Sequence, residues 1–452
     1  MKTPEKNEIY DIEIKDVSSD GNGVGEIDGF IVFVPYSVTG DILKIQIVKV
    51  QKTFAYGKII KILTPSPKRC EVPCPAFGKC GGCSLMHIDY NYQLEIKKGI
   101  INNALKRIGG FFEGVKEMIP APSQFRYRNK MIFPIGDKNG EVISGFYRER
   151  SHDIIPLDDC LLGGEFNSAV LSAVKEYMRE CSVKSYDEIS GKGDIRRVFT
   201  RYGTVSGEIM VVISSRSENI PKKDVLVEKV LKVSDKITSI ILNINTKKTN
   251  LVLGEKNIVL FGKDTISDTL LGIKYEISPY SFYQINHAQT ENLYSKALEY
   301  ADISKDDTVM DIYCGIGTIS LSAAKQAKEV IGVEIVPEAI ENAKKNAERN
   351  EIKNAKFYCA DAEDIVPKLI KSGISPDIVL IDPPRKGSDE ATLSAIASVN
   401  PKRIVYVSCN PATLARDMKF LKTFGYVPEK ICGVDMFANT NHVETVARLT
   451  CK

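Results

Sequence analysis

The first 63 residues alternate apolar and polar positions in short runs, which are separated by glycine-rich turns, "SDGNGVGEIDG" at 19–29 and "VTGD" at 38–41. Alternation with a period of two is typical of strands that bury one face. The segment has room for about five such strands, which predicts a small β-barrel of the OB type. The two prolines of "TPSPKR" at 64–69 predict a linker after the barrel.

A different pattern follows this linker. A helical period covers 92–107, and 125–270 predicts mixed strands and turns with one amphipathic helix near 165–180. From Asp306 onward strands and helices alternate regularly, as in a doubly wound domain. The predicted fold class is therefore α/β, with an OB-like N-terminal barrel, a central mixed α+β domain and a C-terminal Rossmann-like domain.

Length and composition are those of a globular chain. The 452 residues, 43% hydrophobic and 26% charged, are enough for about two to four domains. No apolar run reaches the roughly eighteen residues that a membrane span needs, and "MKTPEKNEIYDIEI" at 1–14 lacks the apolar core of a signal peptide. We therefore expect a cytoplasmic protein without a membrane partner. In that compartment the 11 cysteines are not expected to form disulfides.

Basic residues are clustered although the formal net charge is only +3. Between Leu43 and Arg69 the chain has seven basic residues and no acidic one, and two further clusters are "FRYRNK" at 125–130 and "GDIRRVFTRYG" at 193–203. Aromatic side chains are interleaved with these charges, as in surfaces that bind phosphates and stack on bases. One such run is usually a solvated face, but three favour a nucleic-acid partner.

Cysteines are concentrated in "CEVPCPAFGKCGGC", which begins at Cys70. Cys74, Cys80 and Cys83 have the spacing C-x5-C-x2-C, and Cys160 in "LDDCLLG" is the candidate for a fourth ligand. Four thiolates hold either a tetrahedral zinc ion or an iron–sulfur cluster. Zinc sites more often pair two C-x2-C turns, so this three-plus-one arrangement favours a [4Fe–4S] cluster.

The segment "DTVMDIYCGIGTISLSAA" at 307–324 predicts a strand, a glycine loop and the start of a helix. Gly315 and Gly317 allow the backbone to approach a ligand closely. The third glycine of a dinucleotide loop is replaced by Ser320, and Asp311 at the start of the loop would repel a pyrophosphate. The loop therefore favours S-adenosylmethionine, which has a cationic centre and no phosphate. A nicotinamide enzyme is the less favoured alternative.

Carboxylates follow the next three predicted strands. Glu334 lies at the tip of the second strand, where a carboxylate accepts both ribose hydroxyls. Asp361 follows the third strand, where it would read an adenine amino group, and Asp382 follows the fourth in "DPPRKG". In this order and spacing the motifs predict a class I methyltransferase domain.

The position of Cys409, between a predicted strand and Pro411, suggests which atom receives the methyl group. A buried structural cysteine is the ordinary interpretation, and Asp-Pro-Pro by itself would fit methylation of an exocyclic amine. C5 of a pyrimidine, however, becomes nucleophilic only after a thiolate adds at C6, and a base must then remove the C5 proton. Glu444, at the start of the last strand, is a better base than His442, since enclosure can raise a carboxylate pKa toward neutrality.

The chain resembles the RNA uracil-5 methyltransferase family over essentially its whole length. "GNGVGEIDGFIVFVPYSVTGD" is similar to the TRAM domain, and "CPAFGKCGGC" with Cys160 is similar to the family's [4Fe–4S] site. "DIYCGIGT", "GVEIV", "ADAED" and "DPPRKG" resemble its cofactor motifs, and "VSCNP" and "HVETV" resemble its nucleophile and base motifs. The resemblance implies that Cys409 is the nucleophile and Glu444 the base.

The resemblance also implies ligands and partners. S-adenosylmethionine would be bound by Gln284, Tyr313, Gly315, Thr318, Glu334, Asp361 and Asp382, and the cluster by Cys74, Cys80, Cys83 and Cys160. Phe282 would lie near the target base, while Arg126 and Arg128 are expected at the RNA because of the basic cluster that contains them. Members with both a TRAM-like domain and a cluster act on large-subunit ribosomal RNA. The expected partner is therefore 23S rRNA before full ribosome assembly, bound by a monomer.

Three domains are expected. A TRAM domain covers 1–63, a central iron–sulfur and RNA-binding domain covers 64–91 and 120–275, and the methyltransferase domain covers 92–119 and 276–452. The segment 92–119 is assigned to the last of these because family members suggest that its helix packs there.

Three other functions stay open. A cytosine-5 RNA methyltransferase uses the same covalent chemistry, but many of these enzymes carry a second cysteine where this chain has Arg385. A transfer-RNA uracil-5 methyltransferase performs the same reaction on another RNA. A cluster-containing RNA-binding or redox-sensing protein without catalysis would leave Cys409 and Glu444 without a role.

Overall fold

The computed structural model describes residues 3–248 and 251–451. Within these residues the chain forms an N-terminal barrel, a central sheet with two helices, and a C-terminal α/β domain. No helix in this part of the chain has the length and apolar character to cross a membrane. The predicted mixed α/β architecture is thus present.

The N-terminal barrel is a six-stranded sheet in the order β1-β5-β6-β4-β3-β2. Its inward-facing residues alternate along the chain, and Val32, Leu43 and Ile45 are fully buried. The sequence predicted about five strands. Strand β2 was not predicted, because a strand of two residues has no periodic pattern. The strands are β1 (Ile9–Glu13), β2 (Asp16–Val17), β3 (Gly23–Ile27), β4 (Phe30–Val34), β5 (Ile42–Val50) and β6 (Phe54–Thr64).

The segment after the cysteine-rich loop packs on the C-terminal domain. Helix α1 (Tyr90–Ala104) is capped by Asp89, whose side chain accepts from the first backbone N–H groups, and it continues into a π-helical turn at Leu105–Gly109. Leu105 is buried in the same apolar core as residues of the C-terminal sheet. Strand β7 (Glu117–Ile119) extends that sheet at its edge.

The central part is a seven-stranded sheet in the order β10-β9-β8-β11-β12-β13-β14. Helix α2 lies where the amphipathic pattern predicted a helix, and its apolar face packs on the buried strands. The elements are β8 (Lys130–Lys138), β9 (Glu141–Tyr147), β10 (Ile154–Pro156), α2 (Phe166–Glu180), β11 (Ile195–Tyr202), β12 (Ile209–Ser215), α3 (Lys223–Leu231), β13 (Ile237–Ile244) and β14 (Lys256–Gly262).

A two-stranded hairpin, β15 (Ile266–Leu270) and β16 (Ile273–Ile277), follows the central sheet. Tyr275 of this hairpin is fully buried in an apolar core that it shares with the C-terminal domain. The same core includes Phe199 and Met210 of the central sheet, so the hairpin contacts both domains, and the boundary at 275 stays a prediction.

The C-terminal domain is an eight-stranded sheet in the order β19-β18-β17-β20-β21-β23-β22-β7. The strands from β17 to β21 are parallel, so their carboxyl ends meet at one edge of the sheet, where doubly wound folds bind ligands. The elements are α4 (His287–Ala301), β17 (Thr308–Ile312), α5 (Thr318–Ala324), β18 (Glu329–Glu334), α6 (Pro337–Arg349), β19 (Ala355–Cys359), α7 (Ala362–Lys371), β20 (Ile378–Ile381), α8 (Glu390–Ser398), β21 (Arg403–Ser408), α9 (Pro411–Lys422), β22 (Tyr426–Val434) and β23 (Glu444–Cys451).

Candidate active site

Three reactive side chains meet at the carboxyl edge of the C-terminal sheet. Asp382 follows β20 directly, and Cys409 follows β21. Strand β23 runs antiparallel to β21, so its first residue, Glu444, lies at the same edge, and Ser408 pairs with Thr445. The charges of Glu444 and Asp382 raise the pKa of the Cys409 thiol, so the three groups lie close together, in the cleft that the strand ends of a doubly wound sheet form.

Glu444 is enclosed, with only 4% of its surface exposed. The pKa of its carboxyl is raised to about 8, mainly by burial and also by the negative charge of Asp382, while the guanidinium of Arg385 opposes the rise. In contrast, burial and nearby cations lower the pKa of His442. A carboxylate with a pKa near neutrality is suited to accept a proton and release it again. Glu444 therefore has the better properties of a general base.

Cys409 is partly exposed at the edge of the cleft. The pKa of its thiol is raised to about 11 by burial first, and then by the charges of Glu444 and Asp382, and Arg385 lowers it. Since the thiolate is the nucleophilic form, the thiol must lose its proton before it reacts. A cationic ligand beside these carboxylates would lower the pKa of the thiol by offsetting their charge.

The glycine loop after β17 has the conformation of a ligand-binding turn. Tyr313 has a φ of +68° and Gly317 a φ of +83°, so the backbone is left-handed on either side of Gly315, which also has a positive φ. A side chain at Gly315 would enter open space. Backbone strain of this kind at a non-glycine residue is concentrated at functional sites. The loop therefore leaves room for a bound molecule against its backbone.

Carboxylates surround this loop. The Glu334 oxygens accept from the backbone N–H groups of Gly315, at 3.2 Å, and Val336, at 3.0 Å. Asp311, expected at the start of the loop, lies inside β17 and is buried, and burial raises its pKa to about 7 although Ser320 donates a hydrogen bond to it. This acidic, phosphate-repelling environment fits a cationic cofactor such as S-adenosylmethionine.

The other predicted cofactor residues lie around the same loop. Asp361 is exposed after β19, immediately before α7. The Tyr313 hydroxyl lies 2.9 Å from the Ser388 hydroxyl. The Thr318 hydroxyl donates to the Tyr294 hydroxyl at 3.4 Å.

Tyr294 on α4 is a residue that the sequence analysis missed. Its ring is 2% exposed, and its pKa is raised mainly by burial and also by the charge of Asp382. In the sequence it is one more apolar-face residue of a helix, so nothing marked it as part of the cleft.

Phe282 and Gln284 come from the segment that precedes α4. The Gln284 carbonyl accepts from the Asn129 amide at 2.9 Å, which fixes the segment against the central domain. Phe282 is 70% exposed. A large exposed ring is available to stack on a base.

The four predicted cysteine ligands lie near one another. The pKa of Cys83 is raised to about 12 by burial first, and then by the thiols of Cys160, Cys80 and Cys74. The charge of Arg128 lowers it. Among the described residues, no three His, Cys, Asp or Glu side chains form a group that would hold a single metal ion. A cluster held by these four cysteines stays a prediction.

Arg126 and Arg128 lie beside this cysteine group. Arg126 donates to both carboxylate oxygens of Asp159 at 2.6 Å and to the carbonyl oxygens of Cys160 and Gly163 at 3.1 and 3.0 Å. It therefore holds the loop that carries Cys160. The charge of Arg128 lowers the pKa values of Cys83, Cys160 and His442, so this guanidinium lies near both the cysteines and His442. A contact of either arginine with RNA stays a prediction.

Comparison with known proteins decides the family. The model of the family described as tRNA (Uracil-5-)-methyltransferase matches residues 89–452, and that of the TRAM domain matches residues 5–60. The chain belongs to the tRNA (uracil-5-)-methyltransferase family. An uncharacterized RNA methyltransferase of Halalkalibacterium halodurans is 46% identical over 448 residues, which are 99% of this chain and 98% of that protein. Another, of Clostridium tetani, is 45% identical over 98% of this chain and 97% of its own length.

A solved structure resembles the whole molecule. The Pyrococcus abyssi tRNA (uracil-54, C5)-methyltransferase, in complex with S-adenosyl-L-homocysteine, has a TM-score of 0.78 and 30% identity, and the match covers 98% of this chain and 100% of that one. The predicted family, the TRAM domain and the methyltransferase fold are confirmed. The protein is an S-adenosylmethionine-dependent RNA (uracil-5-)-methyltransferase.

Asp382→Asn should change both the rate and the pH dependence of this methyltransferase. The negative charge of Asp382 raises the pKa values of Cys409 and Glu444, so its removal should shift the rise of activity with pH toward lower pH. We expect a loss of about tenfold or more at the optimum, because the amide holds the reacting groups less well. Methyl transfer measured from about pH 6 to 10 checks this. Full activity with an unshifted profile would show that Asp382 has no such role.

Proposed function

We propose that this enzyme methylates C5 of a uridine through a covalent bond between the Cys409 sulfur and C6 of the base. The observation that carries the proposal is the shared cleft of a thiol and an enclosed carboxylate with a raised pKa, at the sheet edge that also carries the cofactor loop. Methylation of an exocyclic amine needs neither group.

The reaction begins and ends at Cys409. Its thiolate adds to C6, and the displaced electron pair makes C5 nucleophilic. S-adenosylmethionine supplies the methyl group, whose bond to sulfur breaks as C5 bonds to the methyl carbon. C5 then carries both a hydrogen and a methyl group. The Glu444 carboxylate takes the C5 proton, and the electron pair left behind expels the thiolate from C6.

Other residues around the cleft would bind the cofactor and position the target base. Glu334 and Asp361 would bind the ribose and adenine, and Gln284 with Thr318 would orient the cofactor. Phe282 would stack on the target base. Asp382 would position the base at the junction with the cofactor, since burial keeps its pKa near 7 and its carboxyl can either donate or accept a hydrogen bond.

23S ribosomal RNA is the proposed substrate, and transfer RNA is the second candidate. The TRAM domain together with the four cysteines supports ribosomal RNA. The likeness over 98% of the chain to an enzyme named for uracil 54 of tRNA favours transfer RNA. That the substrate is RNA before ribosome assembly, bound by a monomer, stays a prediction.

Methyl transfer to separated RNA pools distinguishes the two substrates. Labelled S-adenosylmethionine, purified enzyme and RNA from a strain lacking the gene should give 5-methyluridine in 23S rRNA and none in tRNA. Mapping the modified uridine in the same strain identifies the site. Label in tRNA alone would overturn the ribosomal assignment, and label in 5-methylcytidine would overturn the uridine assignment.

We further propose that Cys74, Cys80, Cys83 and Cys160 hold a [4Fe–4S] cluster whose role is structural. When bound, the cluster would join the loop that carries Cys160 to the cysteine-rich loop. The C5 chemistry needs no electron, so no redox step is assigned to it.

Cys80→Ser should remove iron and its brown absorbance and lower the melting temperature, because the cluster would lose one of four ligands. Cys70→Ser is the matched control, since Cys70 lies in the same segment but its thiol donates to the Met86 carbonyl at 3.3 Å. Iron content and absorbance of both variants, purified without oxygen, check this. Retention of full iron in Cys80→Ser would exclude that ligand.

A further inference from the structure

The connection between β22 and β23 is an active-site strap, residues 435–443, and it ends at Glu444. The ladder pairs Glu444 with Val434, so the base lies in the last pair of that ladder, the position where strands open most easily. The contacts that fix the strap therefore also restrain the position of Glu444.

Asn439, in the middle of this strap, forms hydrogen bonds to three other segments of the chain. It is 1% exposed and has a left-handed φ of +67°. Its backbone N–H donates to the side-chain oxygen of Gln93 on α1 at 3.0 Å, and its side-chain oxygen accepts from the Gln93 amide at 3.3 Å. Its side-chain amide donates to the Gln124 carbonyl at 2.9 Å. Its carbonyl accepts from Ser84 and Leu85 at 3.1 and 3.0 Å, directly after Cys83.

Asn441 extends the ties to the barrel. Its backbone N–H donates to the Ser84 hydroxyl at 2.9 Å, and its side-chain amide donates to the Ser19 carbonyl at 2.8 Å. At the other end of the strap, Asp435 forms a fully buried ion pair with Lys97 of α1. The strap thus contacts the TRAM barrel, the segment after the cysteines, helix α1 and the segment that leads to Arg126.

We propose that Asn439 is a positioning residue for Glu444. Through the strap, the position of the catalytic base then depends on the positions of the cysteine segment and the TRAM barrel. This rests on the proposed roles of Cys409 and Glu444. Cys409 directly follows β21, and Asn410 caps the next helix by accepting from the Ala412 N–H at 3.0 Å. The strap takes no part in these contacts. Loosening the strap should therefore disturb deprotonation more than attack.

Asn439→Gly is the informative variant. Glycine keeps the left-handed φ and the backbone hydrogen bonds, so only the two side-chain bonds to Gln93 and Gln124 are lost. Asn439→Ala loses the same bonds and adds backbone strain, so its melting temperature should be lower than that of the glycine variant. Gln93→Glu keeps the acceptor for the Asn439 N–H and should restore part of what Gln93→Ala loses.

The measured quantity is the fraction of each variant that is present at steady state as the covalent adduct with methylated RNA. For Asn439→Gly we expect unchanged RNA and cofactor binding, a kcat lower by about tenfold, and a larger steady-state fraction of adduct than in the unchanged enzyme. Adduct and turnover that fall in parallel, or that both stay unchanged, would overturn the proposal. Glu444→Gln serves as reference: if it accumulates no adduct, the proposed base is wrong, whatever the strap variants do.

Discussion

Glu444→Gln is expected to leave the enzyme covalently joined to its methylated RNA. The amide leaves Cys409 free to attack and C5 free to take the methyl group, but it cannot accept the C5 proton, and without that step the thiolate is not expelled. Turnover should fall by ~10²–10⁴-fold, the usual contribution of a positioned base. A single round of methyl transfer should still occur, and the product should run as a band that resists denaturant and disappears on RNase treatment.

A control separates this effect from a change in charge. Glu429 lies on the neighbouring strand β22, on the surface, where it pairs with Arg448 at 3.0 Å. Glu429→Gln should turn over normally and give no adduct. Normal turnover of Glu444→Gln, or loss of methyl transfer without any adduct, would mean that Glu444 is not the base.

Cys409→Ala is expected to abolish methyl transfer while RNA and cofactor still bind. Without a nucleophile at C6, C5 of uracil does not attack a sulfonium, so the loss should reach the detection limit of a labelled-methyl assay. Binding of RNA, followed by gel shift, and of cofactor, followed by calorimetry, should stay within about twofold because neither depends on the C6 bond.

Cys451→Ala is the matched control for this variant, since Cys451 is an exposed cysteine at the far end of β23. It should retain full activity. Methylation by Cys409→Ala would exclude the covalent route. The double variant with Glu444→Gln should form no adduct, because attack precedes deprotonation.

The positions of the proposed catalytic residues were predictable because they follow from chain order. In a doubly wound sheet each strand delivers the residue after it to one edge, so Asp382 and Cys409 had to lie side by side. The same rule brought Glu334 and Asp361 to the cofactor loop. Glu444 lies there for another reason: the last strand is antiparallel to β21 and therefore begins at this edge.

Other features depend on contacts between segments far apart in the chain. Tyr294 is an ordinary apolar-face residue of α4 until the fold brings its hydroxyl to Thr318. The partners of Asn439 lie more than 300 residues away, at Gln93 and Gln124, and no periodicity reports such hydrogen bonds. Arg126 was expected at the RNA from its charge, but its guanidinium is engaged by Asp159 and by two loop carbonyls. Sequence patterns indicate a charge, not the partner that it meets.

The RNA class was the least predictable feature. TRAM domain and cysteines were taken to favour ribosomal RNA, yet the solved tRNA enzyme is similar over 98% of the chain. The choice between the two RNAs stays a prediction, which methyl transfer to the separated RNA pools tests.

Mass spectrometry of the unchanged enzyme trapped on RNA that contains 5-fluorouridine tests the covalent route most directly. Fluorine cannot leave C5 as a cation, so addition and methyl transfer should proceed and elimination should stop. Digestion should release one modified peptide, in which the Cys409 sulfur is joined to C6 of a uridine that carries both fluorine and a methyl group at C5. A methylated, fluorinated RNA without any bond to the protein, or a bond to another residue than Cys409, would contradict the proposed mechanism.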